Sequence, residues 1–315
     1  MKVCITIDLD DYRDYHSLVA APIDGSAPSF YPDAIPRWLD LFDRFGVRAT
    51  FFMIGRDAAS SEIRRVVREM VARGHEIGNH TYTHPYNLRS FSREQKVAEV
   101  EQGEAAIADV IGERPVGFRT PSCDVDSELL EILSERNYLY DSSVFPTPIM
   151  WAFMIYGRFF MKNESYQLGQ LTTPFSPILP YRPSSKALHR RAAPDDTAAP
   201  DLLEIPFSCI PGVRIPFYST LLRRLGHRFF SGMMRTYGTR KELLHALFHQ
   251  IEFADFENTD LGAAFENIPG LAVPFVARER FLTHAVESLS SAGACVTLRD
   301  FATDHLERRA AAAAA

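Results

Sequence analysis

Over its first half the chain alternates strand and helix about once every 30 residues, and no other feature restricts its fold as strongly. "KVCITIDL" opens as a strand. Trp38, Leu41, Phe42 and Phe45 then recur at helical spacing from about Asp33 to Phe45, with Gly46 placed as a C-cap. "VRATFFMIG" is a second strand. Ser60 or Ser61 can cap the next helix, whose stripe is Ile63, Val66, Val67, Met70 and Val71. "HEIGNH" follows as a strand, and Ser92 with Gln95 fits a capping box for a helix over about Arg93 to Ile111. "VGFRTP", "DSELLEILSERN" and "YLYDSSV" continue the rhythm as strand, helix and strand. Repeated βα units of this kind favour parallel strands with helices packed outside, as a barrel or a doubly wound sheet.

The rhythm breaks between Pro146 and Asp201. "WAFMIYGRFFM" is apolar and aromatic, while "YRPSSKALHRRAAPDDTAAPD" is loop-like. Strands resume at "LLEIPFS" and "LHALFHQI", and a helix from about Arg278 to Ser291 followed by "ACVTLRDF" closes the architecture. The expectation is one domain over 1–309 with an irregular insertion at about 146–201 and a poly-Ala tail at 310–315, an uninformative end or a frayed helix. A net charge of −6 over 315 residues argues against a nucleic-acid partner. Cys4, Cys123, Cys209 and Cys295 are widely spaced and read as reduced thiols. The first strand begins where a signal peptide would lie, and no apolar run reaches the ~20 residues of a membrane span, so a cytoplasmic location is expected.

Polar residues collect just after the strand ends. "TIDLDDY" carries three aspartates, and carboxylates avoid buried strands unless something offsets their desolvation. Strand side chains alternate faces, so Ile5, Ile7 and Leu9 share one side and Thr6, Asp8 and Asp10 the other. Asp8 and Asp10 then stand about 6.5–7 Å apart at Cα, and Asp11 points away. Two carboxylates on one face repel unless a cation stands beside them, such as Arg13, Arg119 or a metal. "GNHTYTH" puts His80 and His84 four apart, so that in a helical turn both imidazoles face one way. The spacing alone is weak. A position straight after a strand, with one aspartate to complete a facial set of three, gives it weight.

Taken in order, "TIDLDDY", "GNHTYTH", "FRTP" and "LFH" resemble the motifs of the polysaccharide deacetylase family (the NodB homology domain, carbohydrate esterase family four). The resemblance is close over Val3 to Ser143 and loose over Leu202 to Phe301. It implies a distorted (β/α) barrel of seven to eight strands and hydrolysis of an N-acyl group with one divalent metal. Zinc is the first choice, with cobalt, nickel or manganese as alternatives. His80, His84 and Asp10 would be the ligands, Asp8 the base, Arg119 the residue that orients it, and His249 the acid. A rival assignment makes Asp10 the base and Asp11 the ligand. His245, four residues earlier on the same face of the His249 strand, is assigned a structural role.

Two departures stand out. Ser122 replaces an aromatic residue, and no aspartate–tryptophan motif supports the acid histidine; Trp151 lies out of place in the insertion. The implied substrate is an N-acetylated or N-formylated amino sugar in a polysaccharide, oligosaccharide or glycolipid. The alternatives are a non-sugar amide such as a cyclic ureide, or a non-catalytic sugar-binding protein. The segments 151–161 and 217–238, the latter with Arg223, Arg224, Arg228 and Arg235 among aromatics, are compatible with peripheral membrane contact. A homo-oligomer is also compatible with the sequence.

Overall fold

The computed structural model describes residues 1–15, 29–160, 169–238, 242–255 and 273–314, so the part of the insertion at 161–168 lies outside the described residues. Ten strands are described: β1 (Lys2–Asp8), β2 (Thr50–Met53), β3 (Glu76–Asn79), β4 (Gly117–Phe118), β5 (Tyr140–Asp141), β6 (Pro183–Ser184), β7 (Ala187–Arg191), β8 (Leu203–Glu204), β9 (Leu243–His249) and β10 (Ala294–Cys295). Nine helices accompany them among the described residues: α1 (Tyr31–Phe45), α2 (Ser61–Ala72), α3 (Arg93–Ile111), α4 (Ser127–Glu135), α5 (Ile149–Phe160), α6 (Ser219–Leu225), α7 (His227–Tyr237), α8 (Phe275–Ala292) and α9 (Leu298–Ala314). Seven strands run parallel in the order β8-β5-β4-β3-β2-β1-β9, and β10 pairs with the first residues of β1. This is the distorted (β/α) barrel, not a doubly wound sheet. Its seam lies between β8 and β9 and is closed by chain that follows β8. Ser208 N–H donates to the His245 carbonyl at 3.1 Å, and Tyr218 bridges in parallel to Leu247.

Strand parity places the core. Ile5, Ile7 and Leu9 pack outward against Trp38 and Phe42 of α1 and Leu282 and Val286 of α8. Cys4, on the opposite face, joins an inner cluster with Phe52, Tyr140, Ile205 and Leu298. Each fully buried side chain of this size contributes about 1.5–3 kcal/mol, so a one-residue slip of β1 would move all three outward residues to the polar interior. Helix ends follow their local signals. Gly46 sits at φ 63° after α1, Ser60 accepts from Ile63 N–H at the head of α2, and Ser92 with Gln95 forms a complete capping box on α3.

The insertion holds α5 and the antiparallel β6–β7 hairpin, and its Leu188 packs into the cluster of Leu129, Leu133 and Leu202. "ACVTLRDF" splits: only Ala294 and Cys295 pair as strand, and from Leu298 the chain is helical through the alanine run.

Candidate active site

Asp8 is the last residue of β1 and lies in register with His249 on β9 and Phe52 on β2. Adjacent strands are about 4.8 Å apart, so Asp8 and His249 stand as neighbours at the C-terminal rim. Beneath Asp8 lies Arg119, 1% exposed and sandwiched between the rings of Phe52 and Phe207 at 4.1 and 4.6 Å. Its Nη1 donates to Asp8 Oδ1 at 2.6 Å and to Thr6 Oγ1 at 3.1 Å, while Nε and Nη2 donate to the Ser142 carbonyl and hydroxyl. Nη2 also lies 3.2 Å from His245 Nε2. The His245 Nδ1 faces the Pro206 carbonyl, which only accepts, so Nδ1 carries the proton and Nε2 accepts from the arginine. Burial, then the Arg119 charge, holds His245 neutral, well below its ordinary pKa.

Asp10 lies beyond β1 and turns its Oδ1 toward two imidazoles, 3.4 Å from His80 Nε2 and 3.3 Å from His84 Nε2. The helical turn expected for 80–84 is not there. The segment is a loop in which Thr81 (φ 67°) and His84 (φ 60°) adopt left-handed backbone, a conformation costing a non-glycine residue on the order of 1 kcal/mol. Surrounding contacts enforce it. Glu99 of α3 accepts from the Tyr82 and Thr83 N–H groups at 3.0 and 2.8 Å, and Gly55 N–H donates to the Thr81 carbonyl at 2.9 Å. Helix α3 comes this close because residue 103 is glycine: a Cβ there would meet Asn79 Oδ1 at 2.5 Å.

His80 Nδ1 lies 2.7 Å from the Arg119 carbonyl, which fixes the proton on Nδ1 and frees Nε2 as a ligand. Burial opposes charge on both Asp10 and His84, but their mutual attraction wins. The Asp10 carboxyl is held well below its ordinary range by the His84 charge and the adjacent His80 imidazole, and Asp10 with Asp14 raises His84.

These donors suit a small divalent cation. Asp10 Oδ1 is buried without a hydrogen bond, and the three donor atoms lie within 4.8 Å of one another, the one such group of three among the described residues. Tetrahedral ligands at ~2.1 Å from zinc stand ~3.4 Å apart, close to the two separations found here.

Asp11 sits apart from this set. Its Oδ1 accepts from Tyr12 and Phe30 N–H at 2.9 and 2.7 Å, so it shapes the loop. The sequence pattern did not single out Asp14. Its Oδ1 lies 3.7 Å from His84 Nδ1 and also pairs with Arg56, and its Oδ2 accepts from Asp11 N–H at 2.8 Å. "DDYRDY" places it one turn past Asp10, the only local signal that it belongs here. His249 has a free rim position, with its ring edge-on to Tyr218 at 5.8 Å and no aspartate–tryptophan partner among the described residues.

A family model described as polysaccharide deacetylase matches residues 23–140, which include His80, His84 and Arg119. A peptidoglycan-N-acetylglucosamine deacetylase of Bacillus cereus is 30% identical over 104 residues, 33% of this chain and 37% of the relative. A chitin deacetylase of Colletotrichum lindemuthianum is 36% identical over 94 residues, 28% of this chain and 38% of the relative. The chain thus spans little more than a third of the curated relatives it matches. A solved structure from Mycobacterium smegmatis, assigned as a polysaccharide deacetylase, superposes with a TM-score of 0.57 at 19% identity, covering 98% of this chain and 90% of that one. That likeness concerns the fold, which brings Asp8, Asp10 and His249, all outside the matched segment, to the same rim.

Proposed function

We propose that this chain, whose residues 23–140 match the polysaccharide deacetylase model, is a member of that family and a metal-dependent hydrolase removing an N-acetyl or N-formyl group from an amino sugar. The observation that carries this is the Asp10–His80–His84 set with a carboxylate and a histidine, Asp8 and His249, in register beside it. A divalent cation, zinc by preference, held by Asp10, His80 and His84 would polarise the amide carbonyl and acidify a water. Asp8 takes the proton of the attacking water. Arg119 holds Asp8 by a hydrogen bond and aims it, and is itself held by Ser142, Thr6 and His245. His249, protonated, gives its proton to the departing amine. Acetate or formate and a free amine result.

The relatives act on chitin and peptidoglycan amino sugars by their names, which supports a sugar substrate over a cyclic ureide. The test is metal analysis together with amine release from a panel of N-acetylated and N-formylated sugars, with Asp8→Asn as control. A metal-free protein, or release that survives Asp8→Asn, overturns the proposal.

A peripheral lipid contact is part of the same proposal. Ile155 of α5 and Phe175 are 60% and 66% exposed, Trp151 stands over Phe175 at 5.8 Å between ring centres, and its Nε1 donates to the Leu171 carbonyl. An exposed apolar group with an indole at its edge suits a bilayer surface. No helix among the described residues is long and apolar enough to cross a membrane. Flotation with anionic vesicles should fail for Trp151→Ala/Phe175→Ala, and no binding by the unaltered protein would remove the lipid contact.

A further inference from the structure

A guanidinium keeps its proton in a protein, so a buried one needs an anion or several carbonyls around it. Arg119 is surrounded in this way, and Arg278 donates to the carbonyls of Val273, Ile251, Glu252 and Ala254. Arg223 is not. It is 9% exposed, and its Nε, Nη1 and Nη2 are each buried without a hydrogen-bond partner. The break at Gly226 (φ 83°) separates it from Arg228 and Arg235 of α7, which face solvent, as does its neighbour Arg224.

Its place in the fold ties it to the rim. Helix α6 starts directly after Tyr218, the residue edge-on to His249. Ser219 Oγ and Thr220 Oγ1 donate to Glu252 Oε1 at 2.6 and 2.9 Å. Arg223 stands one turn past Ser219, about 6 Å along the axis, on the same buried face, and long helical side chains lean back toward the N-terminus. The turn to which Ser219 and Thr220 bind, directly after His249, holds two more unsatisfied buried atoms: Glu252 Oε2 and Gln250 Oε1. Gln250 Nε2 donates to the Leu9 and Asp10 carbonyls at 3.0 Å each, so this turn is joined to the Asp10 loop.

A cation without an anion beside acceptors without donors describes half of a binding site. We propose that Arg223 anchors an oxyanion, a phosphate or carboxylate borne by the sugar substrate, while Glu252 and Gln250 accept from its hydroxyls. The two free acceptor atoms favour a ligand that offers hydroxyls beside its anion, a sugar acid or sugar phosphate, over the anion alone. The exposed arginines of α6 and α7 add a positive field that draws such ligands in. This proposal rests on reading the rim as a deacetylase site.

Two measurements test it and separate it from that reading. The first is thermal melting of the protein, Arg223→Met and Arg224→Met against inorganic phosphate at fixed ionic strength. Phosphate should raise the melting temperature saturably, by a few degrees, in the unaltered protein and in R224M but not in R223M. Equal stabilisation of R223M, or none of the unaltered protein, overturns the proposal. So does an R223M that melts far lower without phosphate, because the guanidinium is then paired within the protein.

The second is amine release from N-acetylglucosamine and its 1-phosphate. The preference in kcat/KM for the phosphorylated sugar should fall at least about tenfold in R223M, and an unchanged preference overturns the assignment of the anion to the substrate. If neither sugar releases amine while the phosphate response still follows Arg223, the deacetylase reading fails and the anion site stands.

Discussion

Asp8 and Asp10 are two residues apart, yet their neighbours give them different chemistry. Asp8 faces a guanidinium that stays charged, and Asp10 faces two imidazoles that can share a cation. Asp8→Asn should therefore fold and keep its metal, since Arg119 retains Ser142, Thr6 and His245. Its turnover should fall about 10²- to 10⁴-fold, as for loss of a general base. Asp10→Asn and His84→Ala should lose metal on gel filtration. If Asp8→Asn strips the metal and Asp10→Asn does not, the two roles are exchanged.

Asp14 acts through His84. Asp14→Asn should weaken metal binding about tenfold in a chelator competition while leaving the pH dependence of turnover in place, and an unchanged affinity would assign it to Arg56 alone. The pairing of Asp8 with Asp10 against Asp11 is legible in the sequence because strand parity is local. Asp14 is not, because its link to residue 84 exists only once the loop is folded.

At the scale of elements, local rules account for α1, α2 and α3 to within a few residues, since caps, stripes and glycine stops are written beside them. The loop carrying His80 and His84 obeys no such rule. Spacing suggests a helical turn, but Glu99, 17 and 16 residues further on, accepts the hydrogen bonds of the Tyr82 and Thr83 N–H groups. The start of α9 is local too: Thr297 Oγ1 accepts from Asp300 N–H at 3.1 Å, a Thr-x-x-Asp cap that "ACVTLRDF" carries in its sequence.

The loop's dependence on α3 gives a test. Gly103→Ala adds a methyl that must displace Asn79 or Thr81, which should cost about 1–3 kcal/mol and reduce metal affinity, although residue 103 touches no ligand. Calorimetry with and without zinc measures both effects. A variant that is destabilised but binds zinc normally would show that α3 supports the barrel and not the ligand geometry.

Across the whole molecule, two buried groups on either side of β2 and β3 set opposing pH dependences. Burial lowers His75 from its ordinary 6.5 to about 4, and its Nδ1 is occupied by the Ala49 N–H. The unfolded chain then binds more protons between pH 4 and 6.5, so stability from this group rises with pH and is lost as pH falls through that window. Asp57 behaves in reverse. Burial, then the charges of Asp14 and Asp11, pushes it from 3.8 to about 7. The folded chain now holds the extra proton, so stability falls as pH rises through that range.

Each slope is at most about 1.4 kcal/mol per pH unit, and over the shared window the two offset one another. Between 6.5 and 7 only Asp57 remains. The metal-free protein should therefore change little in stability from these groups in mild acid and lose some toward neutrality. Single substitutions expose the components. His75→Asn leaves Asp57 unopposed, and its urea midpoint should drop as pH rises from about 4.5 to 7. Asp57→Asn leaves His75 unopposed, and its midpoint should climb over the lower part of the same range. Parallel curves for the two variants would place the pH dependence in other groups.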